Sequence, residues 1–160
     1  MKKLLVIDDQ IEILEIVSDI LEAEGYRVFT APNGIQGFDT ARRFRPDLIL
    51  CDIMMPGMNG YDVLQATRRD IELATTPFIF LTAKAGPEDL RTGMALGADD
   101  YLIKPFGDRE LLDAVRTQLA KNAALRERFQ QQIELLRQGL STILPHELRT
   151  PLTLILAHTS

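Results

Sequence analysis

The residue pattern of this chain predicts an α/β fold: a parallel five-stranded sheet with helices on both faces, followed by one long helix. Two observations carry that expectation. Short apolar runs alternate with helically spaced stretches through residues 1–107, and beyond Gly107 nearly everything reads as helix. The shift in composition is sharp, since nine of the ten glycines, six of the eight prolines and nine of the ten aromatics precede residue 108. With 46% hydrophobic and 26% charged residues over 160 positions, the chain has the balance of a globular protein with a core of its own.

The strand candidates are Leu4 to Ile7, Tyr26 to Thr30, Leu48 to Cys51, Phe78 to Leu81 and Tyr101 to Ile103. Each is too short for a helix, and several are β-branched. Between the first two, Ile13, Leu14, Val17, Ile20 and Leu21 share one helical face that stops at Gly25. Asn33 and Gly34 open a second helix, with Ile35, Phe38 and Ala41 expected inward. Asn59 and Gly60 open a third, with Val63 and Leu64 inward, and Pro87 suits the first turn of a fourth. Strands alternating with helices in this way form a parallel sheet covered on both sides.

From Asp108 to Leu144 breakers are almost absent, and a heptad register places Leu112, Val115, Leu119, Phe129, Ile133, Leu136, Leu140 and Ile143 on one seam. Asn122 and Arg126 interrupt it, so the coiled-coil signal is strongest from Phe129 onward. A parallel homodimer through this helix is the expectation. The alternative is an amphipathic helix packed on its own domain, although a helix near 35 residues would run roughly 50 Å at 1.5 Å per residue.

Charge and composition exclude several classes. Residues 1–107 hold 17 acids and 11 bases, and residues 108–160 hold 6 and 7, so no basic stripe suggests nucleic acid as a partner. The single cysteine, Cys51, rules out an internal disulfide or a multi-cysteine zinc site and reads as a small core residue. No apolar run approaches a membrane span. The opening MKKLLVIDD has only a four-residue apolar stretch, too short for a secretory signal, which leads to a cytoplasmic expectation. A nucleotide binder is disfavoured because the first strand–helix turn, IDDQIEIL, lacks a glycine-rich phosphate cradle.

In an open parallel sheet, functional groups gather at the carboxyl ends of the strands. Here those ends hold Asp8 and Asp9, Asp52, Thr82 and Lys104. Three carboxylates repel one another unless protons or a cation neutralise them, and an oxygen-only cluster suits Mg²⁺. A lysine and a hydroxyl beside them meet the needs of phosphoryl transfer, in which a carboxylate can be the nucleophile. Taken singly, Asp8 and Asp9 read as a helix cap, Asp52 as a turn residue, and Thr82 and Lys104 as an ordinary strand end and a solvated charge. Their joint placement at four strand ends favours chemistry.

On these residues the chain resembles the receiver domain of two-component response regulators. VIDD at 6–9, DIMMPGMNG at 52–60, LTA at 81–83 and YLIKPF at 101–106 fall in family order. The resemblance covers residues 1–121 and implies a flavodoxin-like sheet of order 2-1-3-4-5 with Asp52 as phosphoacceptor. It implies Mg²⁺ held by Asp9, Asp52 and the carbonyl of Met54, with Asp8 acting through water. Lys104, Thr82 and Ala83 would contact the phosphoryl group, Thr82 and Tyr101 would form a switch pair, and the Lys104–Pro105 bond would be cis, which proline permits. The implied partner is a cognate histidine kinase or phosphotransfer protein.

A second resemblance lies at the other end. HELRTPL at 146–152 is similar to the phosphoacceptor-histidine box of sensor histidine kinases. It implies His146 as a phosphohistidine, Glu147 as its acid–base partner and Thr150 as a residue that positions water. Pro145 removes a backbone donor just before it. Only 14 residues follow His146, fewer than a second hairpin helix and an ATP-binding domain require. The expected organisation is a receiver at 1–121, a helical linker at 122–144 and a truncated phosphoacceptor segment at 145–160, as in a fragment of a hybrid regulator–kinase. Such a chain is expected to accept and lose phosphate at Asp52 but not to use ATP. The rival reading is a stand-alone receiver adaptor whose helix controls dimerisation or docking.

Overall fold

The computed structural model describes residues 1–83 and 86–143, with side chains through residue 139. Ten elements alternate along it: β1 (Lys3–Ile7), α1 (Ile11–Ala23), β2 (Arg27–Ala31), α2 (Gly34–Phe44), β3 (Leu48–Asp52), α3 (Gly60–Arg69), β4 (Phe78–Thr82), α4 (Pro87–Leu96), β5 (Asp100–Ile103) and α5 (Asp108–Ile143). The five strands form one sheet in the order β2-β1-β3-β4-β5, with every pairing parallel. The expected five-stranded α/β fold is therefore present, its strands shifted by at most one residue at each end.

Period-two alternation divides the sheet's side chains between two cores. Leu5, Ile7, Ile49, Cys51, Phe78 and Phe80 face one side with Val63 and Leu64 of α3. Leu4, Val6, Leu48, Leu50, Ile79 and Leu81 face the other, with Leu14, Val17 and Leu21 of α1 and Leu111 and Val115 of α5. Both faces are covered, which is why β1, β3 and β4 read as unbroken apolar runs in the sequence.

The helix boundaries follow local chemistry. Asn33 accepts the amide of Gln36 at the start of α2, and Asn59 and Asp62 form a reciprocal capping box on α3. Pro87 occupies the first turn of α4, and Gly97 ends that helix at φ +104°. In α1 the deeply buried positions are Leu14, Val17 and Leu21, with Ile13 and Ile20 at the edge of the core.

Two expectations need correction. Ile35 does not face inward: it is 70% exposed, and the buried face of α2 is Gly34, Gly37 and Ala41. The reason is close packing, since a Cβ on Gly37 would meet Ile7 Cγ1 at 2.7 Å and one on Gly34 would meet Met58 Cβ at 2.9 Å. A helix that approaches through glycines turns its larger side chains outward. The second correction concerns the seam of α5. The sheet covers Leu111, Ala114 and Val115 completely or nearly so, and Leu112 and Leu119 pack against the same core, so one domain does cover this stretch.

The chain divides into two units, Met1–Asn122 and the remainder from Ala123. In the second unit α5 runs on to Ile143, and Leu125, Phe129, Ile133 and Leu136 are exposed along it. Among the described residues no helix is long and apolar enough to cross a membrane. His146, Glu147 and Thr150 lie outside the described residues.

Candidate functional site

Adjacent strands bring the acids together. β1 pairs β3 with Ile7 opposite Cys51, so Asp8, just past the end of β1, lies beside Asp52, the last residue of β3. β4 lies on the far side of β3, pairing Leu81 with Asp52, and carries Thr82 one residue further on. Lys104 follows β5, where its amide donates to the carbonyl of Thr82 at 2.7 Å. The Lys104–Pro105 peptide is cis.

Asp8, Asp9 and Asp52 each place a carboxylate oxygen within 4.8 Å of the others, with Asp8 and Asp52 buried and Asp9 exposed. Lys104 Nζ reaches Asp8 Oδ2 at 2.7 Å and Asp52 Oδ2 at 3.7 Å. The other oxygen of Asp8 accepts the Gln10 amide at 2.9 Å, while Asp52 Oδ1 accepts the Met54 amide at a long 3.4 Å. Asp8 therefore does not cap α1 from the N-cap position, which belongs to Gln10, and its second oxygen is turned to the lysine.

The electrostatics single out Asp52. Burial first, and the Asp8 carboxylate second, push its pKa up to about 6, against the opposing pull of Lys104 and the Met54 amide. One lysine facing two buried carboxylates leaves negative charge uncompensated, and oxygen-only donors this close suit a hard divalent cation. Burial and the same carboxylates raise the Cys51 thiol well above its ordinary value, which keeps it protonated and inert.

The loop after β3 is closed at its base by a contact between Gly60 and Ile53. The amide of Gly60 donates to the Ile53 carbonyl at 2.9 Å, and a Cβ on Gly60 would lie 2.8 Å from Ile53 Cα. Glycine at this position lets α3 start directly against the end of β3. Met54 is 77% exposed on this loop, and Ala83 is exposed beyond Thr82. Tyr101 packs against Phe80 and α4, where its single phenolic O–H has two carbonyls within reach, Leu90 the nearer and Asp89 the farther. Tyr61, which carries no signal in the sequence beyond being an aromatic in α3, donates to the Asp89 carbonyl.

A family model described as "Response regulator receiver domain" matches residues 4–116. The DNA-binding response regulator MtrA of Mycobacterium tuberculosis is 40% identical over 121 residues, covering 76% of this chain and 52% of that protein. The chain thus spans about half the length of the curated relatives it matches. Among solved structures, the chemotaxis protein CheY4 of Vibrio cholerae superposes with TM-score 0.71 at 37% identity, over 73% of this chain and 98% of the other. The receiver domain of the sensor histidine kinase PA1611 from Pseudomonas aeruginosa, described with magnesium coordinated in its active-site cleft, gives TM-score 0.70 at 31% identity, over 74% and 98%.

Proposed function

This chain belongs to the response regulator receiver domain family, and on that premise we propose that Asp52 accepts a phosphoryl group and that the resulting change passes through α4, β5 and α5 to the segment that follows. The observation that supports this most is the convergence of Asp8, Asp9, Asp52, Thr82 and Lys104 from four strand ends onto one cluster.

An Asp52 carboxylate oxygen attacks phosphorus of the donor. One P–O bond forms, the bond to the donor's leaving atom breaks, and the leaving group departs with its electron pair to be protonated by solvent. Asp8, Asp9 and Asp52, with the Met54 carbonyl on the loop beside them, would hold Mg²⁺, whose charge would screen the approaching anion from the carboxylates. Lys104 is already anchored on Asp8 and within 3.7 Å of Asp52, so it is poised to neutralise a phosphoryl oxygen without reorganising. Thr82 and Ala83 offer a hydroxyl and a backbone amide to the remaining oxygens. Binding of that charge at Thr82 biases Tyr101, which makes Thr82 and Tyr101 the switch pair.

The phosphodonor in this reading is a cognate histidine kinase or phosphotransfer protein. Beyond the receiver, at 1–121, we place a helical linker at 122–144 and a phosphoacceptor-histidine segment at 145–160, in which His146 takes phosphate with Glu147 and Thr150 beside it. The HELRTPL motif supports that arrangement, and the exposed apolar residues of α5 from Leu125 to Leu136 support pairing with a second copy. MtrA is named as a DNA-binding regulator, whereas the near-neutral helix that follows the receiver here carries no helix-turn-helix pattern or basic cluster to favour that output.

Incubation with a small phosphodonor and Mg²⁺, followed by mass mapping, should locate the label on Asp52. Loss of labelling in Asp52→Asn is the expected result, and full labelling of that variant would overturn the assignment. Extending the chain with a histidine-kinase ATP-binding domain and looking for acid-labile phosphate tests His146: label that survives His146→Gln removes it from the mechanism.

A further inference from the structure

Tyr61 has no part in the acid cluster, yet its phenol is engaged with the backbone of α4. Tyr61 and Tyr101 both pack against Phe80, with ring centroids 5.4 and 5.8 Å from it. Both phenols lie within hydrogen-bond reach of one oxygen, the Asp89 carbonyl in the first turn of α4, each at 3.3 Å. Tyr101 has an alternative and nearer acceptor for its one proton in the Leu90 carbonyl. One turn further along, Gly93 is buried, and a Cβ there would meet Phe80 Cε2 at 2.8 Å and run into the Tyr101 hydroxyl. The helix backbone therefore sits as close to these rings as glycine allows.

A carbonyl oxygen offers two lone pairs. Helix geometry gives one at Asp89 to the amide of Gly93, four residues on, leaving one for two phenols. Burial raises the pKa of both phenols; Asp89 adds to it at Tyr61, and at Tyr101 the Tyr61 phenol and Asp89 add to it against an opposing hydrogen bond from the Met94 backbone, so both remain donors through the neutral range. Tyr101 can leave Asp89 and keep Leu90, whereas the described hydrogen bond of Tyr61 is to Asp89 alone.

We propose that Tyr61 is a second positioning residue for α4: it competes with Tyr101 for the Asp89 carbonyl, and its hold tightens when Tyr101 withdraws. This deepens the switch reading above and rests on it for Tyr101 as the moving part. The consequence is that α4 keeps an anchor on α3 in either position of Tyr101, so the first turn of the helix stays docked while β5 changes.

The test is a double-mutant cycle in the full chain, Tyr61→Phe and Tyr101→Phe, read by amide exchange at Gly93 and Met94, whose helical acceptors are the Asp89 and Leu90 carbonyls. Each phenylalanine keeps the ring and removes only the donor. Each single variant should exchange about two- to tenfold faster, the range for one lost hydrogen bond, and the double variant faster than the product of the two. Exchange in the double variant equal to or slower than that product overturns the proposal. Should the Tyr61 variant fail to fold, tyrosine labelled at ¹³Cζ gives three resonances, for Tyr26, Tyr61 and Tyr101. The Tyr61 signal should then shift in Tyr101→Phe, and an unmoved signal overturns the competition. Both measurements are made without a phosphoryl mimic and then repeated with beryllofluoride and Mg²⁺. Coupling that persists while beryllofluoride changes nothing upholds the competition and removes Tyr101 as the moving part.

Discussion

At Asp52, burial and the Asp8 carboxylate both oppose ionisation, and Lys104 offsets them only in part. Its pKa is raised to about 6 in the folded chain from an ordinary 3.8, so ionising it costs more folded than unfolded. The stability tied to the protonated group is complete below the unfolded value near 3.8 and is lost as pH rises through about 6. Without divalent metal, Asp52→Asn should therefore be more stable than the unsubstituted chain at pH 7.5 by on the order of 2 kcal/mol, with the gain gone near pH 4. Urea unfolding at several pH values measures this, and equal stability of the two proteins at pH 7.5 would contradict it. Mg²⁺ should raise the melting temperature of the unsubstituted chain far more than that of Asp52→Asn, and the rise should shrink as pH falls through about 6, where protons compete for the same oxygen.

Helix α2 shows how an element is aimed by its smallest residues. Gly34, Gly37 and Ala41 form its buried face, and the 2.7 Å approach to Ile7 Cγ1 leaves no room for a methyl group at Gly37. Gly37→Ala should destabilise by about 1–3 kcal/mol through overpacking, despite the better helix propensity of alanine. Ile35→Ser, on the exposed side, should stay within about 0.5 kcal/mol of the parent. A chemical-denaturation series with both variants decides the point: comparable losses at the two positions would mean that the helix is turned otherwise.

For the whole molecule, α5 carries a buried set of apolar residues and an exposed one. Up to Leu119 they complete the core beneath β1, β3, β4 and β5, and Asn122 donates to the Thr75 carbonyl at 2.9 Å. From Leu125 onward, Leu125, Phe129, Ile133 and Leu136 are exposed at helical spacing, a stripe of the kind that a second copy covers in a parallel pair. Sedimentation at tens of micromolar (order of magnitude only) should give a dimer for residues 1–160 and a monomer for 1–122. Phe129→Glu with Leu136→Glu should return the full chain to monomer, and a monomeric parent chain would remove the pairing.

The alternation of apolar runs with helical stretches was enough to establish five strands and a parallel sheet, because a strand buried on both faces has to be continuously apolar. Turn chemistry at Gly25, Asn33, Asn59 and Pro87 marked the helix ends for equally local reasons. The candidate site was readable for the same cause: in a parallel sheet, residues just past the strand ends converge, so Asp8, Asp52, Thr82 and Lys104 could be grouped before any distance was known. Periodicity shows that a helix has an apolar face but not what covers it. The inward face of α2 depended on the gap left by Ile7, the cover of Leu112 and Leu119 on the path of the sheet, and the shared carbonyl of Tyr61 and Tyr101 on α3, α4 and β5 meeting around Phe80. Each of these is a contact between residues distant in sequence, and such contacts exist only after the elements have packed.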